Sequence, residues 1–518
     1  MVFTSIMFPD RETANLNRMQ EPPAYFRDLN LDQIIENIIL GRQEYNIKPF
    51  FLTPLRSENI ILYRQEVMRD LEREVIFNSI KTFADRIFEV ASRAQKIYKN
   101  IANPESYNCN YLEKGKFLDS ASIYCETINT LVSDMPSFDL KSRGLLAFRE
   151  YVLNYQKSDA FKTLYAETNT MKTGLSTVRY CMLIKNNFIK VRKYENETDV
   201  TPEIEKIFHK FRQGAVKDYR QKLIEEPYAE HVEAGVLNLV AKLYPELFSK
   251  LDSFCNRNKD FIDEIIYFFS QEIQFYIAYL EYMEKFKRVG LHFCYPQISA
   301  QDKEIHNFEG FDLALADKLL SQNSPVVCND FYLKDRERII VVSGPNQGGK
   351  TTFARVFGQL HHLASIGCPV PGIKARLFLF DRIFTHFPRE EDVQNLRGKL
   401  QDDLIRMHNI LNQATSDSII IINEFLSSAT LKDALSIMKK ILDRIIQLDL
   451  LCICVTFLDE ISLYDEKIVS MVSTVSPDDP VLRTYKIIRS PADGLAYAMH
   501  IAQKYRLTYD CLKERIKL

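Results

Sequence analysis

The feature that most constrains the fold is a glycine-rich stretch at residues 344–351, Gly-Pro-Asn-Gln-Gly-Gly-Lys-Thr, which directly follows an apolar run at residues 339–343. A helical pattern continues over residues 352–366. In such a strand–loop–helix unit the glycines let successive backbone N–H groups turn inward, and the helix N-terminus adds partial positive charge. The stretch therefore predicts a phosphate-binding loop at the end of a strand.

The predicted loop also assigns the ligands of a nucleotide. We expect Lys350 to reach the β- and γ-phosphates, and Thr351 to bind Mg²⁺ through its hydroxyl. The predicted nucleotide-binding residues are Gly344, Pro345, Asn346, Gln347, Gly348, Gly349, Lys350, Thr351 and Thr352.

A second polar element lies about seventy residues later, where residues 419–424 read Ile-Ile-Ile-Ile-Asn-Glu. Four β-branched residues predict a central strand that is buried on both faces. In nucleotide hydrolases with a phosphate loop, an Asp after this strand supports Mg²⁺ and a Glu orients the attacking water. We predict that Glu424 is catalytic and that Thr351 and Asn423 are the metal-binding residues. Because Asn423 lacks the negative charge of an Asp, we expect weaker Mg²⁺ coordination.

The chain divides into two regions with different sequence patterns. From residue 339 onward, apolar runs alternate with helical patterns, which predicts a mostly parallel sheet covered by helices on both faces. Residues 56–289 have mainly helical periodicity, and residues 259–289 predict one helix of about 30 residues, roughly 45 Å long. Residues 171–200 are rich in β-branched and basic residues, which favours strand or irregular structure.

The formal net charge of the chain is −2, so the chain as a whole has no positive field that would attract nucleic acid. Two local basic patches are candidates for DNA phosphate contacts, and the alternative for each is a solvated surface. One patch surrounds Phe188 and the other lies on a helix predicted at residues 201–222. The patches consist of Lys185, Lys190, Arg192 and Lys193, and of Lys210, Arg212, Lys217, Arg220 and Lys222.

The cysteine pattern and the lengths of the apolar runs indicate the cellular compartment of the protein. The ten cysteines form no Cys-x-x-Cys pair, so we expect no structural zinc site and a reducing compartment. The first residues lack the pattern of a signal peptide, and no apolar run reaches the ~18–20 residues of a spanning helix. We therefore expect a cytoplasmic protein with no membrane partner.

Several stretches resemble the MutS family of DNA mismatch repair ATPases. Ser-Gly-Pro-Asn-Gln-Gly-Gly-Lys-Thr-Thr at residues 343–352 is similar to the family's nucleotide loop, Thr-Gly-Pro-Asn-Met-Gly-Gly-Lys-Ser-Thr. The similarity extends to residues 327–330, 380–385 and 414–418, to Asp433 at the position of the family's D-loop Asp, and to residues 491–502. It covers about 290–510, is weaker over 56–290, and is absent for residues 1–55.

The resemblance implies an architecture and cofactors. It implies an ABC-like α/β P-loop ATPase domain carried by a long all-α lever domain with a short clamp, using ATP and Mg²⁺. It also implies DNA as a partner and a homodimer or heterodimer formed through the ATPase domains. The predicted segments are an N-terminal segment at 1–55, a lever at 56–184, a clamp-like insertion at 185–235, returning lever helices at 236–300 and the ATPase domain at 301–518.

Departures from the family pattern limit this expectation. The family's signature Ser and Thr are replaced by Gly398 and Lys399, and its Thr-His switch reads Thr456-Phe457. A Phe side chain cannot donate a hydrogen bond to phosphate. We also find neither a Phe-x-Glu mismatch wedge nor a C-terminal nuclease domain, so DNA shape is the expected target rather than a mismatch.

The sequence thus predicts a dimeric, DNA-associated ATPase with slow turnover. Two alternatives stay open at this point. One is a non-catalytic, nucleotide-gated scaffold that binds a protein partner. The other is a subunit whose altered site is completed by a paralogue.

Overall fold

The computed structural model describes residues 3–10, 19–102, 110–185, 188–196, 227–389, 398–426, 429–476, 482–492, 506–509 and 512–513. The basic patch predicted at residues 210–222 lies outside these residues, as does the helix predicted there.

The first part of the described chain is helical apart from one antiparallel hairpin. Its helices and strands, in chain order, are α1 (Tyr25–Asp28), α2 (Leu31–Ile38), α3 (Lys48–Leu52), α4 (Glu58–Leu71), α5 (Glu74–Ala102), α6 (Asn110–Asp134), α7 (Arg143–Lys157), α8 (Asp159–Ser176), β1 (Tyr180–Lys185), β2 (Phe188–Lys193), α9 (Pro227–Leu243), α10 (Pro245–Arg257), α11 (Glu264–Glu272) and α12 (Gln274–Lys287).

The second part alternates strands and helices. Its elements are β3 (Phe293–Cys294), β4 (Gln297–Ser299), β5 (Ile305–Gly310), α13 (Leu313–Ser321), β6 (Asn329–Leu333), β7 (Ile339–Ser343), α14 (Lys350–Ser365), β8 (Val370–Pro371), β9 (Lys374–Phe378), β10 (Ile383–His386), α15 (Lys399–Gln413), β11 (Ile419–Asn423), α16 (Leu431–Leu448), β12 (Leu451–Val455), β13 (Ile468–Val475) and β14 (Arg483–Arg489).

The chain forms two compact units. The first comprises residues 1–3, 75–140 and 146–271, and the second comprises residues 4–74, 141–145 and 272–518. These boundaries differ from the five segments expected from the sequence, because residues 4–74 belong to the same unit as the strand-rich part. The assignment of lever and clamp segments stays a prediction.

A six-stranded sheet forms the centre of the second unit, in the order β10-β11-β12-β7-β13-β14. The first five strands are parallel, and only β14 is antiparallel to its neighbour β13. The β7, β11 and β12 residues are buried along their whole length, as expected for strands covered on both faces. The predicted mixed α/β class with a mostly parallel sheet is therefore observed.

Strand register brings the polar ends of β7 and β11 to one edge of this sheet. Asn423 pairs with Val455, which in turn pairs with Val342 next to the glycine loop. Parallel strands present their carboxyl ends at the same edge, where open α/β sheets bind ligands. A separate four-stranded sheet, in the order β4-β9-β5-β6, belongs to the same unit.

The N-terminal residues pack against helix α14 of the second unit. Arg355 Nε donates to the carbonyl oxygen of Asp28 at 2.9 Å, and Gln359 Nε2 donates to that of Leu29 at 2.8 Å. Tyr25 and His362 share a hydrogen bond of 3.0 Å. Residues 25–55, which carry no family resemblance, are thus part of the unit that contains the glycine loop.

One helix prediction was wrong in length. The helix predicted at 259–289 is interrupted at Ile273. The break contains neither proline nor glycine. Beside it, Glu272 accepts hydrogen bonds from the Ser5 hydroxyl and the Ile6 N–H, and Tyr276 donates to the Ile6 carbonyl. Contacts distant in sequence therefore accompany a break that local periodicity does not indicate.

None of the helices within the described part of the chain is both long enough and apolar enough to cross a membrane. Cys452 and Cys454, which the sequence places inside an apolar run, are fully buried on β12.

Candidate nucleotide-binding site

The glycine loop connects β7 to α14 with a backbone that requires its glycines. Gly344 and Gly349 have φ angles of +111° and +90°, a region that L side chains rarely adopt. A Cβ on Gly344 would lie 2.8 Å from the Ser473 carbonyl oxygen, and one on Gly348 would overlap the Ser473 hydroxyl. Strand β13 therefore closes one side of the loop, and only backbone atoms fit between them.

Helix α14 begins at Lys350, with Gly349 as its N-cap residue. The first N–H groups of a helix lack partners within it, so they point toward the loop with partial positive charge. The role of this arrangement in binding phosphate stays a prediction.

Lys350 is held inside the loop. The residue is 6% exposed, and its Nζ donates to the carbonyl oxygens of Gly344 and Pro345, both at 2.9 Å. Burial lowers the pKa of the Lys350 ammonium group, Glu424 opposes this, and Arg483 lowers the pKa further. An ammonium group has three donors, so one remains for an anion that enters the loop.

Thr351 and Asn423 are in direct contact. The Thr351 hydroxyl donates to the Asn423 amide oxygen at 2.9 Å, across 72 residues of sequence. Asn423 is buried at the end of β11. The two residues predicted to support a metal are thus adjacent. Because the Thr351 hydroxyl hydrogen points to Asn423, the lone pairs of the hydroxyl oxygen remain available to a cation.

Glu424 follows in a left-handed conformation, with φ of +50°. Its backbone N–H donates to the Val455 carbonyl oxygen at 2.9 Å. This bond continues the β11–β12 pairing by one residue and then turns the chain. Glu424 lines the same cavity as Lys350 and Thr351.

The loop borders a cavity of about 460 Å³ whose lining is of two chemical kinds. Residues 347–352 and Glu424 contribute the glycine loop and a carboxylate. Apolar side chains are contributed by Phe311, Leu315, Leu319, Pro325, Val326, Val327 and Val356. A phosphate loop and apolar side chains in one cavity suit a ligand that carries both phosphates and a flat base.

Sequence reasoning missed three residues beside the loop. Ser473 on β13 donates from its hydroxyl to the Gly348 carbonyl oxygen at 2.6 Å. Arg483 on β14 donates from Nε to the Asn346 carbonyl oxygen at 3.2 Å. Tyr485, also on β14, lines the cavity. The β-branched run at residues 468–475 could have indicated a strand, but only sheet pairing brings it beside the loop.

The departures from the family pattern lie at different places. Gly398 is exposed and is the N-cap residue of α15, with no atom within 4 Å of the position of an added Cβ. Phe457 is 50% exposed, directly after the buried Thr456. Thr430 is the N-cap residue of α16. Its hydroxyl donates to the Asp433 carboxylate at 2.7 Å and accepts from the Asp433 N–H at 3.3 Å.

Two other stretches with family resemblance meet at the far end of the sheet. The Asp381 carboxylate accepts hydrogen bonds from the hydroxyls of Thr415 and Ser418, both at 2.8 Å. These bonds join the loops that lead into β10 and β11. Their position before the strands indicates a structural role rather than a contact with the cavity.

The basic residues around Phe188 lie in the first compact unit, on the β1–β2 hairpin. Lys190 and Lys193 are exposed, and Arg192 is half-buried and forms an ion pair with Glu195 at 3.4 Å. Lys185 pairs with Phe188 in the strand register. Lys210 and Arg212 lie outside the described residues, so the structure leaves their predicted role open.

The oxygen ligands of the cavity fit one hard cation bound together with a nucleotide better than they fit a metal site formed by protein side chains alone. Within the described ranges, no group of three or more His, Cys, Asp or Glu side chains could hold a metal ion. The available oxygen ligands, those of Thr351, Asn423 and Glu424, suit Mg²⁺ that is shared with phosphate oxygens.

Comparison with known proteins agrees with this geometry. Residues 340–515 match the family model described as MutS domain V. The chain is similar to the DNA mismatch repair protein MutS of Ruminiclostridium cellulolyticum, with 24% identity over 471 residues, covering 84% of this chain and 50% of that protein. It is also similar to the protein of that name from Petrotoga mobilis, with 26% identity over 266 residues, covering 47% of this chain and 31% of that protein. The matched regions therefore cover no more than half the length of either relative.

Proposed function

Since the chain is a member of the MutS family, we propose that it is a DNA-binding ATPase in which ATP binding moves the helical part of the chain on DNA. We further propose that it works as a dimer through its ATPase domains, in the cytoplasm, and that it recognises DNA shape rather than mismatches. The observation that carries the ATPase proposal is the contact between Thr351 and Asn423 beside Glu424, at the mouth of the glycine loop.

In this proposal the loop binds the phosphates of ATP. The N–H groups at the start of α14 and the Lys350 ammonium group neutralise phosphate charge. The apolar lining of the cavity receives the base, where burial of its faces contributes to affinity. Leu315 and Val327 are part of this lining.

The proposed chemical step depends on Glu424, which accepts a hydrogen bond from the attacking water and orients it toward the γ-phosphate. Thr351 and Asn423 would hold Mg²⁺, which supplies charge neutralisation at the phosphate oxygens. Asn423 fixes the Thr351 hydroxyl but contributes no negative charge, so we expect weak metal binding and slow turnover.

The alternative is a non-catalytic scaffold that binds a protein partner when nucleotide is bound. Asn423 and the exposed Phe457 favour it, because neither side chain offers the charge or the donor that the family pattern implies at these positions. Both proposals share nucleotide binding, and they differ in whether hydrolysis follows and in whether the partner is DNA or a protein.

The test measures ATP affinity and ATP hydrolysis for the wild type and for Lys350→Ala, Glu424→Gln and Glu466→Gln. Glu466 is an exposed carboxylate and serves as the matched control. We expect Lys350→Ala to abolish ATP binding. We expect Glu424→Gln to retain binding but lose most of the hydrolysis, while Glu466→Gln behaves like the wild type.

Duplex and branched DNA are then added at two salt concentrations. Stimulation of hydrolysis by DNA supports the ATPase proposal. ATP binding without hydrolysis above background supports the scaffold instead. Equal hydrolysis by the wild type and Glu424→Gln contradicts the assignment of Glu424.

A further inference from the structure

The β1–β2 hairpin has two chemically distinct faces. Its register pairs Leu183 with Lys190 and Met182 with Val191. Directly opposed residues of an antiparallel pair share a face, and successive residues alternate between faces. One face, named here the basic face, carries the residues Cys181, Leu183, Phe188, Lys190 and Arg192. The opposite face carries Tyr180, Met182, Ile189, Val191 and Lys193.

The basic face exposes apolar groups between its cations. Phe188 is 79% exposed and Leu183 is 45% exposed. An exposed aromatic ring beside a cation offers a flat apolar surface on which a partner can stack. Phe188 is therefore available to a ligand with an apolar surface.

The charge on this face selects the kind of ligand. Neither strand contains an acidic residue, and Lys190 is exposed next to Phe188 on the same face of β2. Arg192 adds a second cation, which is shared with Glu195 at 3.4 Å. On the opposite face, the Nζ of Lys193 lies 5.3 Å from the centroid of the Tyr244 ring, so this cation is already in contact with an aromatic group.

A ligand that carries anionic groups next to flat apolar surfaces would complement this face, and a nucleic acid with accessible bases has both. In duplex DNA the faces of the bases are stacked inside, so the protein meets mainly phosphates and base edges. Unpaired bases offer their faces, and an aromatic side chain beside a basic residue is the usual platform for them.

We propose that the basic face of the hairpin binds unpaired bases of DNA, with Phe188 stacking on a base and Lys190 contacting the neighbouring phosphates. This inference rests on the proposed DNA binding and specifies which DNA is preferred: junctions, loops or gaps that contain unpaired nucleotides. The shape recognition proposed above then has a chemical basis on this face.

The test uses the full chain and three fluorescent DNA probes of equal length: an oligothymidine strand, a duplex, and the same duplex with an internal unpaired loop. The variants are Phe188→Ala and Lys190→Ala, with two matched controls. Phe268→Ala removes another exposed ring from the same compact unit, and Lys162→Ala removes an exposed cation of α8 in that unit, outside both basic patches.

We expect Phe188→Ala to weaken binding of the single strand and of the looped duplex by about tenfold, while the affinity for the plain duplex changes less than twofold. Lys190→Ala lowers the salt dependence of single-strand binding by about 0.7 in logarithmic slope, the value of one phosphate contact. Phe268→Ala and Lys162→Ala leave both quantities unchanged. Unaltered circular dichroism and thermal unfolding establish that each variant is folded.

The inference is overturned if Phe188→Ala binds all three probes like the wild type, or loses the same factor for each. It is also overturned if Lys162→Ala lowers the slope as much as Lys190→Ala does. A wild-type protein that binds none of the probes contradicts the proposed DNA binding as well. A protein that binds DNA without any preference for unpaired bases contradicts only the inference made here.

Discussion

A metal-supporting residue at the position of Asn423 has two tasks, which are to orient the Thr351 hydroxyl and to supply negative charge to the cation. The Asn423 amide oxygen accepts a hydrogen bond of 2.9 Å from the Thr351 hydroxyl, as a carboxylate would, and so orients the hydroxyl. It does not provide the negative charge that a hard cation prefers. Orientation is retained and charge is lost, which is the reason to expect nucleotide binding with a weakened affinity for Mg²⁺.

Replacing Asn423 with Asp restores that charge. We expect Asn423→Asp to reduce several-fold the Mg²⁺ concentration needed for half-maximal ATP binding and hydrolysis, because the carboxylate adds a strong acceptor next to Thr351. Titration of Mg²⁺ at constant ATP measures the effect. Asn409→Asp, at an exposed position of α15, serves as the control. An unchanged Mg²⁺ requirement would remove Asn423 from the metal site.

Helix α14 is the element that connects the N-terminal residues to the glycine loop. It begins at Lys350, and its Arg355 and Gln359 side chains bond the carbonyl oxygens of Asp28 and Leu29. Gly358 faces Leu29 so closely that an added Cβ would lie 2.5 Å from Leu29 Cδ1. The stretch without family resemblance therefore supports the helix that supplies the phosphate cradle.

This support can be tested at two leucines of the N-terminal stretch. Leu29 is fully buried and Leu40 is 72% exposed. We expect Leu29→Ala to lower the free energy of unfolding by about 2–5 kcal/mol, because it leaves a cavity against α14. Leu40→Ala is expected to change it by less than about 0.5 kcal/mol. Urea unfolding monitored by tyrosine fluorescence measures both, and equal losses would contradict the packing described here.

Three buried histidines act on the stability of the second compact unit as a whole. Burial lowers the pKa of His361, His362 and His386 to about 4. Phe357 and Phe51 carbonyl oxygens oppose this pKa shift at His361 and His362, and Arg406 adds to it at His386. All three are neutral in the folded protein at pH 7.

The sign of the resulting pH dependence follows from linkage. An unfolded histidine titrates near pH 6.5, so the unfolded chain binds these protons first as the pH falls. The stability is fully present above pH 6.5 and is lost progressively between pH 6.5 and pH 4, by about 3 kcal/mol for each histidine. Urea unfolding at pH 7.5, 6.5, 5.5 and 4.5 measures this slope.

His361→Phe removes one of these groups and should flatten the slope, whereas His408→Gln, at an exposed position, should not. A stability that does not change across this range would mean that the buried histidines are accessible to protons in the folded protein.

Local sequence was sufficient for the glycine loop, for the buried strand at residues 419–423 and for the alternation of strands and helices after residue 339. Each of these depends on residues close together in the chain: glycines that permit positive φ, β-branched runs, and helical periodicity. The same rules predicted one helix over 259–289, because nothing in that stretch marks the break at Ile273.

Tertiary structure decided what lies around these elements. Ser473 and Tyr485 reach the loop only because β13 pairs with β7 and β14 pairs with β13. Residues 25–55 join the glycine-loop unit through bonds that span more than 300 residues of sequence, such as that of Tyr25 with His362. The hairpin places Lys190 and Lys193 on opposite faces, a distinction that follows from strand register. Pairing and packing between distant segments are set by the energy of the whole fold, which a local pattern does not contain.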